Sequence, residues 1–363
     1  MEFEAVVAGI HLRYDGVRQR PHHLLARLSA RVPVLFVEEP FRSESERDEL
    51  VVAEPLTVLR PHRRDIAEPG IDAATLACAR TWLGARRPLV WLSTPMLLGL
   101  ADAFPEAPLV YDCMDDLASF AFAPAKMREH ERALLERADA VFAGGRTLYE
   151  RRLAYGEKVH LYPSAVEFEH FARAQTLAPP SRLQPLARPI FGYAGVIDER
   201  IDLAIVREFS RRGLTLAMLG PFAKIDPAEL PRAPNVHYLG PVDYRDLPAY
   251  LAGFDVALLP FARNAATANI SPTKTPEYLA AGKPVVSTPI FDVLRDYGEV
   301  VSFGATAAGF VDACEAALEP DPDRRRRGIE CARALSWDAT VESMLRDISR
   351  RGASARSTSH RPQ

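Results

Sequence analysis

The sequence predicts an α/β protein with two domains, each built on a doubly wound parallel sheet. Short apolar strands alternate with helical segments from residue 5 onward, as in βαβ units. The alternation stops near residue 166, where prolines and small polar residues follow one another without periodicity. It restarts directly after Pro189, so the 363 residues divide into two halves of ordinary domain size.

The first half alternates strands and helices over about 160 residues. The predicted strands are Ala5–Ile10, Val32–Val37, Thr57–Leu59, Leu89–Leu92, Leu109–Cys113, Ala140–Ala143 and Val159–Tyr162. The predicted helices are Gln19–Leu28, Asp72–Leu83, Met96–Ala103, Lys126–Ala138 and Thr147–Leu153. This order predicts a domain over residues 1–165 and a linker over 166–188.

The second half repeats the pattern over residues 189–339. Its predicted strands are Ile190–Ala194, Leu214–Leu219, Val236–Leu239, Val256–Leu259, Val285–Thr288 and Val300–Phe303. Its predicted helices are Leu203–Arg212, Leu247–Ala252, one starting at Pro276, Ala307–Leu318 and Arg324–Leu335. A last helix is expected within 340–350, followed by a polar, disordered tail over 351–363.

The composition excludes several classes of protein. A net charge of -3 argues against a dedicated nucleic-acid binder, and the four cysteines form no CxxC motif. No disulfide framework or metal site is therefore expected, and a reducing cytosol fits. The N-terminus MEFEAVVAGI lacks the features of a signal peptide, and no apolar run approaches the roughly 20 residues of a spanning helix. We expect a cytoplasmic protein whose membrane contact, if any, is peripheral.

The segment Ser271–Thr288 contains the strongest candidate site. Ser271-Pro272 and Thr275-Pro276 both fit an N-cap followed by proline, and we expect the regular helix to begin at Pro276 because proline lacks an N–H. Glu277 then falls in the first turn, beside Lys274. Helix starts favour anions, so the pair suits a phosphate-bearing ligand, but a capping carboxylate and a solvated lysine explain it equally well.

Two further candidates follow the ends of predicted strands, where ligands of such sheets bind. Gly195 lets the backbone approach a ligand and Arg200 suits a diphosphate, unless Arg200 only pairs with a neighbouring aspartate. Asp115 and Asp116 follow Leu109–Cys113 and suit general-base or hydroxyl-binding work, unless they only cap a helix or form salt bridges.

The loop after the first strand is the remaining candidate. Glycine and guanidinium groups at a helix start suit phosphate or sugar hydroxyls, and a solvated turn is the equally weighted alternative. The residues concerned are His11, Gly16, Arg18, Gln19 and Arg20. No GxGxxG, Walker A, GxSxG or HExxH motif occurs, which lowers the dehydrogenase, NTPase, hydrolase and zinc-protease interpretations.

With these segments in view, the chain resembles a GT-B glycosyltransferase, closest to family 4 and its bacterial cell-surface or natural-product members. The resemblance covers about residues 1–348 and is carried by residues 16–21, 111–116, 192–202 and, most specifically, 271–288. It implies two Rossmann-like domains facing across a cleft, with the acceptor bound by the first and the donor by the second. It also implies retaining, metal-independent transfer from a nucleoside diphosphate sugar, without a cofactor.

The resemblance assigns roles to several residues of the donor domain. Glu277 matches the second of two glutamates that flank the donor and implies ribose binding, whereas Asn269 stands where the first glutamate is expected. The cationic pair around the diphosphate is altered: Val196 stands where an arginine often follows the glycine, and Arg200 lies near the usual lysine position. Lys274 is expected to supply the second positive charge. Base contacts are expected around Val242, and the donor-binding set is completed by Gly195, Ile270 and Ser271.

The resemblance also implies catalytic residues, an acceptor and alternative functions. Asp115 and Asp116 join Arg200 and Lys274 as expected catalytic residues. The acceptor is expected to be a sugar, a lipid-linked sugar or a small molecule, and the lipid-linked case implies contact with the inner face of the plasma membrane. A nucleotide-sugar 2-epimerase and a non-catalytic nucleotide-sugar binding subunit remain alternative functions.

Overall fold

The computed structural model describes residues 3–66, 70–121 and 123–359, with side chains up to residue 350. The chain divides into two compact units. Unit 1 comprises Met1–Pro163 and Trp337–Gln363, and unit 2 comprises Ser164–Ser336. Both units contain a mainly parallel sheet with helices, as the alternating pattern predicted.

Unit 1 contains a nine-stranded sheet among the described residues, in the order β3-β5-β2-β1-β6-β7-β8-β9 with β4 paired to β5. Its strands are β1 (Ala5–Ile10), β2 (Val34–Glu38), β3 (Phe41–Arg42), β4 (Arg47–Ala53), β5 (Leu56–Arg63), β6 (Pro88–Leu92), β7 (Leu109–Cys113), β8 (Ala140–Ala143) and β9 (Val159–Leu161). The helices between them are α1 (Arg20–Ser29), α2 (Ala73–Leu83), α3 (Gly99–Ala103), α4 (Met127–Arg137) and α5 (Arg146–Arg152).

The strands β1, β2, β7 and β8 are buried along their whole length, as expected for a parallel sheet covered on both faces. The hairpin of β4 and β5 is the exception, because these two strands pair antiparallel. The sequence did not predict β4. It is partly exposed and begins with charged residues, so it lacks the apolar run by which the buried strands were recognised.

Unit 2 contains a six-stranded parallel sheet in the order β12-β11-β10-β13-β14-β15. The strands are β10 (Ile190–Ala194), β11 (Thr215–Leu219), β12 (Val236–Gly240), β13 (Val256–Leu259), β14 (Val285–Ser287) and β15 (Ser302–Phe303). The helices are α6 (Phe168–Ala172), α7 (Leu203–Arg212), α8 (Leu247–Gly253), α9 (Lys274–Ala280), α10 (Phe291–Tyr297), α11 (Ala307–Ala316) and α12 (Pro322–Arg333).

The stretch predicted as a linker, 166–188, differs from that prediction. It contains α6 and two short 3₁₀ turns, and it packs into the apolar core of unit 2 through the buried side chains of Phe171, Ala174 and Leu183. Its apolar residues show helical spacing only over the single short helix Phe168–Ala172, so no sustained helical period appears in the sequence. Much of the stretch is therefore part of the folded unit.

The last helix, α13 (Trp337–Ser359), belongs to unit 1 and packs against α1. The His23 ring stacks on the Trp337 ring, with centroids 5.1 Å apart and planes 5° from parallel. The helix starts before the predicted position and overlaps the tail predicted for 351–363, of which residues 360–363 lie outside the described residues. Among the described residues, no helix is long and apolar enough to cross a membrane.

Candidate functional site

Three glycines bring the ends of neighbouring strands close together in unit 2. The Gly195 N–H, after β10, donates to the Leu219 carbonyl at 2.8 Å, and the Gly220 N–H, after β11, donates to the Gly240 carbonyl at 2.8 Å. A Cβ on Gly220 would collide with the carbonyl of Gly195, and Gly195 has a φ of 156°. Only glycine fits this approach without strain, so backbone groups line the carboxyl edge of the sheet here.

Helix α9 begins at Lys274, not at Pro276 as the sequence predicted. Pro276 occupies the third helical position, where its missing N–H costs nothing because the first N–H groups of a helix have no intrahelical acceptor. The Thr275 N–H meets the Pro272 carbonyl at 3.2 Å. The earlier start places both Lys274 and Glu277 in the first turn.

The Lys274 side chain lies against Gly195. A Cβ built on Gly195 would be 2.6 Å from the Lys274 Nζ and would collide with its Cε. The same Nζ lies 5.8 Å from the centre of the buried Tyr193 ring, whose hydroxyl donates to the Val196 carbonyl at 2.8 Å. A positive charge is therefore held at the turn that follows β10.

Glu277 is buried, with 9% of its surface exposed. Burial raises the pKa of its carboxyl to about 8, the nearby Lys274 ammonium acts in the opposite direction, and the Glu167 carboxylate raises the pKa further. Without a ligand, the raised pKa favours the protonated form of the Glu277 carboxyl. Hydrogen bonds from ligand hydroxyls would favour the charged form.

Two tyrosines that the sequence did not single out support this helix turn. The Tyr278 hydroxyl accepts from the Ala194 N–H at 2.8 Å and lies 3.3 Å from the Ala194 carbonyl, which ties α9 to the end of β10. The Tyr244 hydroxyl donates to Glu167 at 2.8 Å. Glu167 directly precedes α6, which packs against α9.

Arg200 is engaged inside unit 2. Its guanidinium forms an ion pair with the buried Asp198, with Nε 3.0 Å from Oδ1 and a terminal nitrogen 2.7 Å from Oδ2. The pairing with a neighbouring aspartate, which the sequence left open, is therefore present. It does not bear on whether the same guanidinium also meets a diphosphate.

The other predicted donor-binding residues lie near the carboxyl edge of the same sheet. Asn269 and Ile270 are buried in the loop between β13 and α9, and the Ser271 carbonyl accepts from the Ser164 hydroxyl at 3.3 Å. Thr267 organises this loop through hydrogen bonds with Asn264. Val242 is half-buried, two residues beyond β12.

In unit 1, Asp115 and Asp116 follow β7 as predicted. The Asp116 carboxylate accepts from the Ser119 hydroxyl at 2.8 Å and lies 3.5 Å from a terminal nitrogen of Arg151. The Asp115 carbonyl lies 3.8 Å from the buried Cys113 thiol. The salt-bridge alternative for Asp116 is therefore present in the structure.

Arg20 is committed to the interior of unit 1. It is 1% exposed, its Nε lies 2.9 Å from Oδ1 of the fully buried Asp112, and another nitrogen lies 2.5 Å from the Tyr162 carbonyl. Arg20 was assigned to the acceptor or phosphate side. Its guanidinium balances a buried carboxylate, and the assignment to the acceptor or phosphate side stays a prediction.

The rest of that loop is held in a fixed conformation. The Gly16 N–H donates to the Arg13 carbonyl at 3.0 Å, and the Gln19 N–H donates to Nδ1 of His22 at 3.0 Å. Nε2 of His22 lies 3.2 Å from the Arg13 carbonyl, so the neutral imidazole bridges both ends of the loop. Burial lowers the pKa of His22 to about 4, which keeps it neutral. His11 and Arg18 are half-buried in the same region.

Glu38, the last residue of β2, is a further residue of this region that the sequence analysis did not single out. It is 1% exposed at the end of β2, and it accepts from the Tyr14 N–H at 2.9 Å and from Arg13 at 3.1 Å. Within the described ranges, no group of three or more His, Cys, Asp or Glu side chains could hold a metal ion.

Comparison with known proteins agrees with this architecture. Residues 199–319 match a family model described as "Glycosyl transferases group 1". The chain is 27% identical over 303 residues to the putative teichuronic acid biosynthesis glycosyltransferase TuaH of Bacillus subtilis (strain 168), a match that covers 77% of this chain and 75% of that protein.

Similar solved structures extend over almost the whole chain. A sucrose-phosphate synthase from Thermosynechococcus elongatus gives a TM-score of 0.70 at 15% identity and covers 97% of this chain and 100% of its own. HepE from Anabaena, in complex with UDP and glucose, gives 0.66 at 13% identity, with 96% and 100% covered. At these identities the likeness shows the fold.

The two sheets and these matches define a protein of the GT-B architecture. The chain is a glycosyltransferase, since the family model and the curated relative agree on that class.

Proposed function

We propose that this enzyme transfers a sugar from a nucleoside diphosphate sugar to an acceptor hydroxyl, in the synthesis of a cell-surface polysaccharide. The observation that carries the proposal is the first turn of α9, where Lys274 reaches Gly195 and Glu277 is buried beside it. The donor class is supported by HepE, whose structure contains UDP and glucose. The process is supported by the relative named for teichuronic acid biosynthesis.

The proposed chemistry is electrostatic. Departure of the sugar leaves negative charge on the diphosphate, and fixed positive groups stabilise that charge as it develops. Lys274 supplies an ammonium at the turn after β10, in the space that a side chain at Gly195 would fill. Arg200 provides a second cation, already oriented by Asp198.

Glu277 is proposed to bind the ribose. Two hydroxyls donate well to one carboxylate, and such hydrogen bonds lower a raised pKa. The burial cost of the carboxyl is thereby offset when the nucleotide binds. Asn269 would meet the donor sugar with an uncharged amide.

The proposal further holds that transfer retains the anomeric configuration and uses no bound metal. A retaining reaction without a protein nucleophile lets the acceptor approach from the face that the diphosphate leaves. A phosphate oxygen then receives the proton of the acceptor hydroxyl. The cations of the chain replace the charge that a metal would provide.

The test is incubation with a panel of UDP-, GDP- and dTDP-sugars, with and without sugar acceptors. Release of the nucleoside diphosphate that depends on the acceptor is the expected result. A sugar altered without such release would indicate epimerisation, and binding without turnover would indicate a binding subunit. Either outcome would overturn the proposal. The anomeric configuration of the product, read by NMR, tests retention.

A further inference from the structure

Unit 2 contains a cavity of about 540 Å³ that is separate from the residues assigned to the donor. Its walls include Leu279 of α9, Val285 at the start of β14 and Val300, which precedes β15. Since these strands are parallel, the cavity lies at their amino-terminal edge. The candidate donor site follows the carboxyl ends of the same sheet.

Three cations line the cavity, namely Lys283, Arg324 and Arg325. Two acids, Glu319 and Asp321, line it as well. Asp321 is engaged as the N-cap of α12, where its carboxylate accepts from the Arg324 N–H at 2.8 Å. The lining therefore carries an excess of positive charge, and one of its two acids is already committed to a helix end.

The two arginines have neutral partners. Arg324 donates to the Ser302 hydroxyl at 2.9 Å and meets the Glu299 carbonyl at 3.5 Å, and Nε of Arg325 donates to the Gly282 carbonyl at 3.0 Å. Within the part of the chain that the structure describes, neither guanidinium forms an ion pair with a carboxylate. These contacts position both side chains and leave N–H groups for a ligand.

Lys283 is half-buried, as is Arg324, whereas Arg325 is exposed. The Lys283 Nζ lies 2.9 Å from the Ala252 carbonyl and 2.8 Å from the Phe254 carbonyl, which leaves one of its three donors. Burial lowers the pKa of its ammonium to about 8. A bound anion would favour the charged form and offset the cost of burying it.

We propose that this cavity binds a small phosphorylated metabolite whose phosphoryl group is held by Arg324, Arg325 and Lys283. Guanidinium groups match phosphate geometry, and the ammonium of Lys283 adds a third cation to the same lining. The volume is in the range of small-ligand pockets, and apolar walls such as Leu279 and Val285 would contact the body of a sugar phosphate. The amino terminus of the twelve-residue helix α12 adds favourable dipoles at the rim.

Helix α9 links this cavity to the candidate donor site. Its first turn carries Lys274 and Glu277, and Leu279 near its other end forms part of the cavity wall. A ligand in the cavity is therefore expected to alter nucleotide affinity through this helix. This second statement rests on the proposed function, whereas the binding site itself does not.

The first experiment measures binding of inorganic phosphate by calorimetry at constant ionic strength. The full chain is compared with the double variant Arg324→Gln/Arg325→Gln, with Lys274→Ala, and with Arg326→Gln as the matched control. Arg326 lies on the same helix, does not line the cavity and pairs with Asp323 at 3.0 Å. Circular dichroism and thermal unfolding establish that each variant is folded.

The double variant should weaken phosphate binding by about tenfold or more, and the matched control Arg326→Gln should change it less than about twofold. Binding lost in Lys274→Ala but kept in the double variant would place the phosphate at the donor site and overturn the inference. The absence of binding to the unaltered chain would overturn it too. Single variant Arg325→Gln, at an exposed position, repeats the test if the double variant does not fold.

The second experiment measures the affinity for UDP, GDP and dTDP with and without saturating phosphate. A change in affinity for the nucleotide that binds, lost in Arg324→Gln/Arg325→Gln, is the expected result. An unchanged affinity would refute the coupling. If no nucleotide binds, the proposed function is contradicted. The phosphate measurements still test whether the cavity binds a phosphoryl group.

Discussion

The ammonium of Lys274 lies in the space that a side chain at Gly195 would fill. The two residues come from different elements, the first turn of α9 and the turn after β10. Any larger residue at position 195 must displace the lysine as well as adopt an unfavourable φ. Glycine at position 195 therefore leaves the space in which the Lys274 ammonium lies in the candidate site.

Replacement of Gly195 by alanine should therefore reduce turnover strongly. We expect kcat/KM to fall by on the order of 10²–10³-fold, as when one stabilising donor is removed from a transition state. Gly309→Ala is the control, because Gly309 lies within α11 and has an ordinary φ. Steady-state kinetics measure kcat/KM of both variants. Equal values for Gly195→Ala and Gly309→Ala would contradict a role in turnover for the contact between Gly195 and Lys274.

Arg200→Ala should lower both turnover and stability, because Asp198 would be left buried without its partner. The double variant Arg200→Ala/Asp198→Ala separates the two effects. Stability should recover in the double variant, as measured by urea unfolding, whereas turnover should stay low. Recovery of turnover together with stability would show that Arg200 acts only through Asp198.

Glu277→Gln should stabilise the chain and weaken nucleotide binding. The pKa of Glu277 is raised in the folded state, so the folded chain binds more protons than the unfolded chain between pH 4.5 and about 8. Wild-type stability therefore falls as pH rises through this window, and the variant escapes that loss. We expect a melting temperature roughly 10 °C higher at pH 8 and no gain at pH 4. A variant that is less stable at pH 8 would contradict the protonated, buried carboxyl.

His22 should make unit 1 sensitive to mild acid. The pKa of its imidazole is lowered to about 4 by burial, from an ordinary value of 6.5, so the unfolded chain binds a proton that the folded chain does not. Stability should fall by about 2 kcal/mol between pH 7 and pH 5 from this group. His22→Asn should flatten this part of the pH profile of unfolding. If the free energy of unfolding of His22→Asn depends on pH in the same way as that of the wild type, the lowered pKa of His22 is contradicted.

Asp112→Asn should destabilise unit 1 by about 3–5 kcal/mol, because the buried Arg20 guanidinium would lose its charged partner. The exposed pair of Arg27 and Asp338 is the control, and its loss should cost less than about 1 kcal/mol. Chemical unfolding measures both. A small effect of Asp112→Asn would mean that Arg20 is not structurally committed and would favour its assignment to the acceptor.

The sequence predicted the parallel sheets because their buried strands are short apolar runs, as in Ala5–Ile10 and Ile190–Ala194. It missed β4, whose half-exposed residues show no such run. It misplaced the start of α9, because local rules could not decide between two proline-containing starts. The fold of each unit was therefore predictable, and the ends of its elements less so.

The sequence predicted only those residues of the candidate site that lie close together in the chain. Lys274 and Glu277 lie within one helix turn and could be found by their spacing. Tyr278 meets Ala194 from 84 positions away, and Tyr244 meets Glu167 from 77 positions away, so no local pattern reports them. A buried ion pair such as Arg20 with Asp112 is equally invisible, because an arginine near a helix start also suits an exposed ligand contact.

Calorimetric titration of the chain with UDP, GDP and dTDP tests whether the first turn of α9 binds the donor. We expect at least one nucleotide to bind with a stoichiometry of one, and Lys274→Ala to weaken that binding by about 10–100-fold. Lys224→Ala, which changes an exposed lysine of the same unit, should leave the affinity unchanged. Failure of all three nucleotides to bind, or equal affinity in wild type and Lys274→Ala, would contradict the assignment of the first turn of α9 to the donor.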